Sequence, residues 1–274
     1  MNPLPTYLDY LRLPYLAENY DALAKQAAEK KWPYADYLQR LLEGEYQRRQ
    51  ERALQRRVRD ARFPVIKTLD RFRWDWPSKI NEAQVKNLFR LGFVEKKTNV
   101  IMMGACGLGK THLCVALCYE ACQRGHSVLF TTAVDALNNL AAAHAAQRLK
   151  AELKKYLSPQ ILAIDELGYL PLDKVGADLL FQIISQRYER GSIIITTNKA
   201  FKRWPEIFNN DTTVTSAILD RVLHGAETVV IEGKSFRMKD QIDPPASACP
   251  VIAIPSPSPA GGLPDHRRCR LSTR

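Results

Sequence analysis

Residues 99–111 read Asn-Val-Ile-Met-Met-Gly-Ala-Cys-Gly-Leu-Gly-Lys-Thr, an apolar run followed by a glycine-rich turn that ends in lysine and threonine. The spacing Gly-x4-Gly-Lys-Thr is that of a phosphate-binding loop. The apolar run predicts a strand and residues 110–120 predict a helix, which is the strand–loop–helix context that such a loop requires. This context favours phosphate binding over the plainer interpretation, a glycine-rich turn with an incidental Lys-Thr pair.

The chemistry of this loop follows from its residue types. Gly104, Gly107 and Gly109 are expected to take positive φ, which turns successive backbone N–H groups toward anionic oxygens. The positive end of the following helix faces the same oxygens. Lys110 is predicted to reach the β- and γ-phosphates of a nucleotide, and Thr111 is predicted to ligate Mg²⁺. The predicted nucleotide-binding residues are consecutive: Gly104, Ala105, Cys106, Gly107, Leu108, Gly109, Lys110, Thr111 and His112.

Composition and charge narrow the classes of protein and partner. The 274 residues are 46% hydrophobic and 25% charged, which is ordinary for a globular protein. No apolar run approaches the roughly 20 residues that span a bilayer, and the amino terminus lacks a signal-peptide pattern, so a cytoplasmic location is expected. The net charge of +11 favours a polyanionic partner, nucleic acid first, with an acidic protein or an anionic membrane surface as alternatives.

Residues 1–65 predict a helical amino-terminal part. A first helix is expected to end near Pro14, and a second is expected at residues 20–31 with Asp21 as its N-cap. A third begins near Pro33 and continues into a basic run. The run comprises Arg48, Arg49, Arg52, Arg56, Arg57, Arg59 and Arg62. It is either a solvated helix face or a surface for DNA phosphates, and the sequence does not separate the two.

An aromatic-rich stretch at residues 69–77 follows the boundary that Phe63-Pro64 marks. It can form one wall of a pocket for a nucleotide base, or it can tie the helical part to the next one by packing. The second interpretation is favoured, because aromatic side chains more often pack than bind. Residues 79–93 then predict one further amphipathic helix.

Strand and helix signals alternate over the rest of the core. Continuous apolar runs predict strands at 99–103, 127–132, 161–165, 192–197 and 228–232. Such runs are typical of parallel strands covered by helices on both faces, so the pattern predicts a doubly wound α/β fold. The chain is therefore divided into a helical DNA- or partner-binding domain at 1–65, a nucleotide-binding domain at 66–242 and a Pro/Ser-rich, basic, disordered tail at 243–274.

Polar residues end two of the predicted strands. Asp165 and Glu166 follow four apolar residues, and a parallel sheet would deliver both carboxylates to the edge where the phosphate loop lies. Asp165 is predicted to hold Mg²⁺ and Glu166 to orient the attacking water. The alternative is a strand that ends in two solvated acids. Asn198 follows the fourth strand, where it contacts the γ-phosphate or the water, or is only a turn residue.

A cysteine recurs every four residues along the helix after the loop, at Cys114, Cys118 and Cys122. This spacing places the three thiols on one helix face. Packing of that face on the sheet explains them, and no further metal ligands are evident in the sequence. Cys106 lies in the phosphate loop itself, where its oxidation would affect a bound nucleotide.

Four stretches together resemble the IstB family of ATP-binding helpers of bacterial insertion sequences. They are the loop followed by Thr-His-Leu, Ile-Asp-Glu-Leu-Gly-Tyr at 164–169, Ile-Thr-Thr-Asn at 195–198 and Leu-Asp-Arg-Val-Leu-His-Gly-Ala at 219–226. The family belongs with the DnaC/DnaA-like branch of the AAA+ ATPases. The resemblance covers about residues 1–240, and Ala105 and Cys106 depart from the prolines or small polar residues usual in the family's loop.

The resemblance implies a fold and further site residues. The fold would be an AAA+ P-loop NTPase with a parallel five-stranded core sheet, preceded by a small all-helical N-terminal domain. Asn198 would match the first sensor, and Arg221 the arginine finger that acts on a neighbouring subunit's nucleotide. Arg237 would match the second sensor, which contacts its own nucleotide.

The resemblance also implies a function. ATP and Mg²⁺ would be the cofactors, and water would attack the γ-phosphate. ATP- and DNA-promoted homo-oligomers would form on the phosphate backbone of double-stranded DNA, without a membrane partner, and would recruit a cognate IstA-like transposase. A predicted long helix at about 133–156 could grip that backbone, or it could be a basic solvent face. Its basic residues are Arg148, Lys150, Lys154 and Lys155.

Three alternatives remain at this point. A DnaC-like replicative helicase loader shares nearly all of these features. A small-molecule or nucleoside kinase would need an acceptor pocket, and the acid pair and the basic charge argue against it. A non-hydrolysing DNA-binding scaffold is opposed by the intact set of motif residues.

Overall fold

A computed structural model of the chain describes residues 3–236, and within them the core is a five-stranded parallel sheet. The strands are β1 (Val100–Gly104), β2 (Val128–Thr132), β3 (Ile161–Leu167), β4 (Ser192–Thr197) and β5 (Glu227–Ile231). Their order across the sheet is β2-β3-β4-β1-β5, and every neighbouring pair is parallel. The predicted α/β fold with five parallel strands is confirmed.

Ten α-helices surround the sheet within the described residues. They are α1 (Leu4–Tyr10), α2 (Pro14–Glu29), α3 (Tyr34–Ala61), α4 (Glu82–Leu88), α5 (Gly92–Glu95), α6 (Lys110–Gln123), α7 (Ala133–Ala145), α8 (Leu149–Leu157), α9 (Lys174–Arg187) and α10 (Thr212–Leu223). Short 3-10 turns lie at Leu69–Arg71 and Phe201–Glu206. None of the helices between residues 3 and 236 has the length and hydropathy needed to cross a membrane.

Alternate residues of β1 to β4 face two separate hydrophobic cores, whereas β5 contributes Val229 and Ile231 to one core and leaves Val230 exposed. On one side Val100 and Met102 pack with the buried face of α6, α4 and α5. On the other side Ile101 and Ile164 pack with α7, α8, α9 and α10. Burial on both faces explains why the strands are continuous apolar runs instead of alternating ones.

The long helix α3 connects two packing regions. Its first half packs with α1 and α2, where Leu8, Leu16 and Leu41 form a small separate core. Its second half lies against β2 and α6, and Ala61 at its end is fully buried in the sheet's core. Arg57 Nε also donates a hydrogen bond of 2.8 Å to the carbonyl of Cys122. One continuous helix thus serves both regions, and the predicted boundary at residue 65 stays a prediction.

Two predicted helix boundaries in the amino-terminal part are wrong. Pro14 begins α2 instead of ending the preceding helix, since proline is well tolerated where a helix N–H needs no partner. Asp21 is not a cap but lies within α2, where it forms an i,i+4 ion pair of 2.8 Å with Lys25.

Two predicted single helices are each broken by a left-handed residue that is not glycine. The helix predicted at 79–93 is α4 and α5, separated at Leu91 with φ of 64°, and Lys79 instead bridges to Glu232 beside the sheet. The helix predicted at 133–156 is α7 and α8, separated at Gln147 with φ of 57°. The left-handed residue is neither glycine nor proline at either break. Gly92, near which the pattern predicts the first helix to end, directly follows Leu91, whereas no glycine or proline lies beside Gln147.

Candidate functional site

The glycine-rich loop joins β1 to α6 in the geometry of an anion-binding turn. Gly107 and Gly109 have φ of 77° and 88°, as predicted. Gly104 does not take positive φ, and it is needed for a different reason. A Cβ at Gly104 would lie 2.3 Å from the carbonyl oxygen of Ile231 on β5, so only glycine allows the two strands to approach there.

The start of α6 is open toward a ligand. Gly109 is its N-cap and supplies no side-chain hydrogen bond, so a ligand can take the N–H groups of the first turn. Lys110 is the first helical residue and is buried. Its Nζ donates hydrogen bonds of 2.8 Å to the carbonyls of both Gly104 and Ala105. The ammonium group is therefore held over the loop, where phosphate oxygens would lie.

A cavity of about 550 Å³ opens beside the loop and is large enough for a nucleotide. One wall is the loop from Gly107 to His112. The facing wall is the segment at 64–77, which contains the aromatic-rich stretch 69–77, together with Phe236. Trp76 lines the cavity and donates through Nε1 to the carbonyl of Lys234 at 2.9 Å. The interpretation of this segment as packing alone is therefore incomplete, because the segment also lines the cavity.

His112 holds the aromatic segment against the loop. Its Nε2 lies 2.8 Å from the carbonyl oxygen of Thr68, and its ring meets that of Phe72 edge to face at 5.5 Å. Phe72 is itself buried and packs on Trp74. His112 lines the nucleotide cavity, but the contacts it makes here join two parts of the protein.

The two predicted acids lie at the carboxyl edge of β3, beside the loop. Asp165 is 3% exposed, and Thr111 Oγ1 lies 2.9 and 3.1 Å from its two carboxylate oxygens. The sequence predicts that this strand ends at the two acids, and that prediction is wrong. The strand continues through a bulge to Leu167. Glu166 sits in that bulge with φ of 61°, and its side chain lines the cavity.

Thr196 on β4 contacts both acids, and no sequence pattern predicts this contact. Its Oγ1 donates a hydrogen bond to Asp165 Oδ1 and accepts one of 2.9 Å from the backbone N–H of Glu166. A threonine in an apolar strand is ordinary, and only the register of β3 against β4 brings its hydroxyl to the acids.

A second cavity of about 520 Å³ lies on the other side of the acids. Arg62 at the end of α3 and Lys155 of α8 line it together with Thr111, Asp165 and Glu166. The end of α3 therefore faces the same cavity as the acid pair. In the sequence these two basic residues stand out only as parts of long basic runs.

Asn198 and Arg221 lie at opposite edges of the sheet. Asn198 follows β4 at the carboxyl edge, and its Oδ1 is a buried oxygen without a hydrogen-bond partner among residues 3–236. Arg221 lies near the end of α10, whose last carbonyls accept hydrogen bonds from Asn99 just before β1. Its guanidinium contacts the carbonyl of Ala217 and the ring of Phe181. Arg221 is thus separated from its own loop by the length of β1, about 15 Å.

Of the remaining predicted residues, the cysteines at 106–122 lie within the described part of the chain, and Arg237 and the tail at 243–274 lie outside it. Cys114, Cys118 and Cys122 are fully buried in the core under α6, and burial raises the pKa of Cys122 to about 12. Cys106 is exposed, with its Sγ 2.9 Å from the hydroxyl of Tyr169.

The fold and this site together define an AAA+ P-loop nucleotide-binding protein. The structure of AMPPCP-bound DnaA from Aquifex aeolicus resembles the chain with a TM-score of 0.52 and 22% identity, covering 65% of this chain and 53% of that one. This likeness concerns the fold.

The sequence places the chain more narrowly, because the family model of IstB-like ATP-binding proteins matches residues 6–243. The chain belongs to this family. It is 38% identical to the ATP-binding protein of insertion sequence IS21 from Pseudomonas aeruginosa, over 88% of this chain and 91% of the relative. It is 37% identical to that of insertion sequence IS5376 from Geobacillus stearothermophilus, over 86% and 93%. The resemblance drawn from the four motifs is confirmed.

Proposed function

We propose that this chain is an ATP-hydrolysing, DNA-binding helper of an insertion-sequence transposase. The observation that carries the proposal is the meeting of Thr111 with Asp165 at the start of α6, beside the cavity that Glu166 lines. Relatives encoded by insertion sequences supply the biological setting. In this proposal residues 1–65 bind DNA and partner proteins, and residues 66–242 bind and hydrolyse ATP.

ATP binding rests on the loop and the aromatic wall. The N–H groups of the loop and of the first turn of α6 would bind the phosphates, and Lys110 would turn from the loop carbonyls to the β- and γ-oxygens. The base would enter between the loop and the segment at 64–77.

The residues present fit a bound Mg²⁺. This ion prefers oxygen ligands and is usually held by one or two carboxylates together with phosphate oxygens and water. The Thr111 hydroxyl and the buried Asp165 carboxylate supply such oxygens next to the loop. When bound there, Mg²⁺ would neutralise charge on the β- and γ-phosphates.

Hydrolysis would divide among groups at the carboxyl edge and one group from a neighbour. Glu166 would orient the attacking water and Asn198 would offer its unpartnered Oδ1 to the same water or its NH₂ to the γ-phosphate. Arg221 lies too far away to serve its own nucleotide, which supports the role of an arginine finger acting on the adjacent subunit. Arg237 completes the proposed set as a second sensor.

DNA binding is proposed for the second half of α3. Arg49, Arg52, Arg56 and Arg59 recur at spacings of three and four residues, so they share one helix face, and all are exposed. Arginines so arranged bind phosphates without base specificity. Lys150 and Lys154 of α8 form the competing surface.

One experiment tests the ATPase proposal as a whole. ATP turnover is measured with and without double-stranded DNA over a range of protein concentrations, beside Lys110→Ala and Arg221→Ala. We expect turnover that rises with DNA and more than linearly with protein, and that both substitutions abolish. Turnover that is linear in protein, ignores DNA and tolerates Arg221→Ala would instead indicate a P-loop enzyme that acts as a monomer.

A further inference from the structure

The Thr196 hydroxyl is the one group on β4 that bonds to both acids of β3 within the described residues. It donates to Asp165 Oδ1 and accepts from the Glu166 N–H at 2.9 Å. A threonine hydroxyl has a single hydrogen to donate. The direction of both bonds is therefore fixed, since a carboxylate only accepts and an N–H only donates.

The bond to Glu166 replaces a missing sheet bond. The pairing of β3 with β4 shifts register between Ile164 and Leu167, and Glu166 lies inside that bulge. A bulge leaves its extra residue without a ladder partner. Thr196 Oγ1 provides the partner, and so holds Glu166 at a φ of 61°, which costs free energy for a residue other than glycine.

The bond to Asp165 gives the carboxylate a second hydroxyl partner, besides that of Thr111 on α6. Thr111 approaches the same carboxylate from the helix, and Thr196 approaches it from the sheet. When Thr111 turns to a metal ion, the bond from Thr196 would remain. Thr196 is 1% exposed, so water cannot take its place without rearrangement.

We propose that Thr196 is a positioning residue that sets the Asp165 carboxylate for Mg²⁺ and the Glu166 backbone for water activation. This inference rests on the proposed ATPase function. It predicts that the hydroxyl matters for Mg²⁺-dependent steps and not for nucleotide binding as such. Thr196 lines the cavity beside the loop, but it is 1% exposed and its hydroxyl is engaged by Asp165 and by the Glu166 N–H.

Three variants separate this role from packing. Thr196→Val keeps the branched shape and removes the hydroxyl, whereas Thr196→Ser keeps the hydroxyl and removes a methyl group. Thr215→Val is the matched control, since Thr215 is 2% exposed and its hydroxyl bonds only to a backbone carbonyl, that of Asp211 at 2.6 Å, among the described residues. It removes an equally buried hydroxyl away from the acids.

Two quantities are measured on the full chain. The first is the dissociation constant of ATP with excess EDTA and with Mg²⁺, and the second is turnover as a function of Mg²⁺ concentration. In Thr196→Val we expect unchanged affinity in EDTA, a loss of most of the tightening by Mg²⁺, and turnover lower by about 10- to 100-fold, the range for a lost hydrogen bond to a charged group. Thr196→Ser should restore both quantities to within about threefold of the parent protein, because it keeps the hydroxyl.

Three outcomes would overturn the positioning role of Thr196. Equal Mg²⁺ tightening in Thr196→Val and in the parent chain would overturn the proposal, and so would a Thr196→Ser variant as defective as Thr196→Val. A similar loss in Thr215→Val would also overturn it, because any buried hydroxyl would then suffice. If the parent protein binds ATP but shows no turnover, the ATPase proposal fails, and the binding comparison still tests Thr196 by itself.

Discussion

At the scale of single residues, the most heavily bonded side chain in the described structure is Arg187, at the end of α9. It is 2% exposed, and its Nη1 and Nη2 donate to five backbone carbonyls, those of Tyr156, Leu157, Pro159, Gln160 and Ser192. Burial lowers the pKa of Arg187 to about 10, because removing the charged guanidinium from water costs free energy. The hydrogen bonds offset that cost and join the end of α8 to the starts of β3 and β4.

Replacing Arg187 should therefore destabilise the fold strongly. In Arg187→Met the five carbonyls lose the guanidinium as donor, and of them the Gln160 carbonyl keeps a hydrogen bond from the Ser192 N–H. We expect the free energy of unfolding to fall by about 3 kcal/mol or more. Urea denaturation measures the change, with Arg190→Met as control. Arg190 is exposed three residues further along the chain, and its loss should cost at most about 0.5 kcal/mol. Similar midpoints for the two variants would mean that water replaces the guanidinium at little cost.

Glu166 carries the residue-scale prediction for catalysis. Glu166→Gln keeps the size and the positive φ of the bulge but removes the base, so turnover should fall by about 100-fold or more while ATP affinity stays within a factor of two or three. Steady-state hydrolysis and equilibrium ATP binding check the two halves. Glu95→Gln, an exposed position on α5, is the control. Undiminished hydrolysis in Glu166→Gln would remove Glu166 from the role of orienting water.

At the scale of elements, the strands were predictable and the helix breaks were not. Strands β1 to β4 are buried on both faces, so their apolar runs are a direct trace of their environment. Leu91, just before α5, and Gln147, just after α7, adopt a left-handed conformation that is rare for their residue types. Tertiary packing selects these conformations, and no local pattern records them.

The same limit separates the parts of the site. The loop from Gly104 to Thr111 is one local stretch and could be identified from spacing alone. Thr196 acts through a partner 31 residues away, and Arg187 through carbonyls as far as 31 residues away. Contacts of that kind depend on strand order and register, which a single sequence does not specify.

Helix α3 carries the element-scale prediction about DNA. Replacing Arg52 and Arg56 by Gln should weaken binding to duplex DNA equally across sequences. It should also lower the slope of log affinity against log salt by about 2, since each lost phosphate contact contributes about 0.9. Titrations at several salt concentrations measure both effects. Lys150→Gln with Lys154→Gln, on the competing surface of α8, removes the same charge. A larger change in the α8 pair than in the α3 pair would place the DNA surface on α8.

At the scale of the whole molecule, the sheet separates two halves of one proposed catalytic site. The phosphate loop and the acids lie at the carboxyl edge of the strands, and Arg221 lies beside Asn99 at the amino edge. If Arg221 completes catalysis, it can do so only for the nucleotide of another subunit. Contacts of this head-to-tail type generate rings or helical filaments rather than two-fold dimers.

This arrangement predicts that two inactive variants restore activity when mixed. Lys110→Ala lacks a working nucleotide site but retains its Arg221, and Arg221→Ala has the reverse defect. In an equal mixture with random neighbours, about a quarter of the head-to-tail interfaces would join an intact nucleotide site to an intact arginine. We therefore expect turnover near a quarter of the parent value, measured with DNA present. As control, Arg221→Ala is mixed with the double variant Lys110→Ala/Arg221→Ala, which forms the same interfaces without any arginine and should stay inactive. If the first mixture shows no ATP turnover although sedimentation shows that it assembles, Arg221 does not act between subunits. The separation of Arg221 from its own phosphate loop would then reflect only the packing of α10.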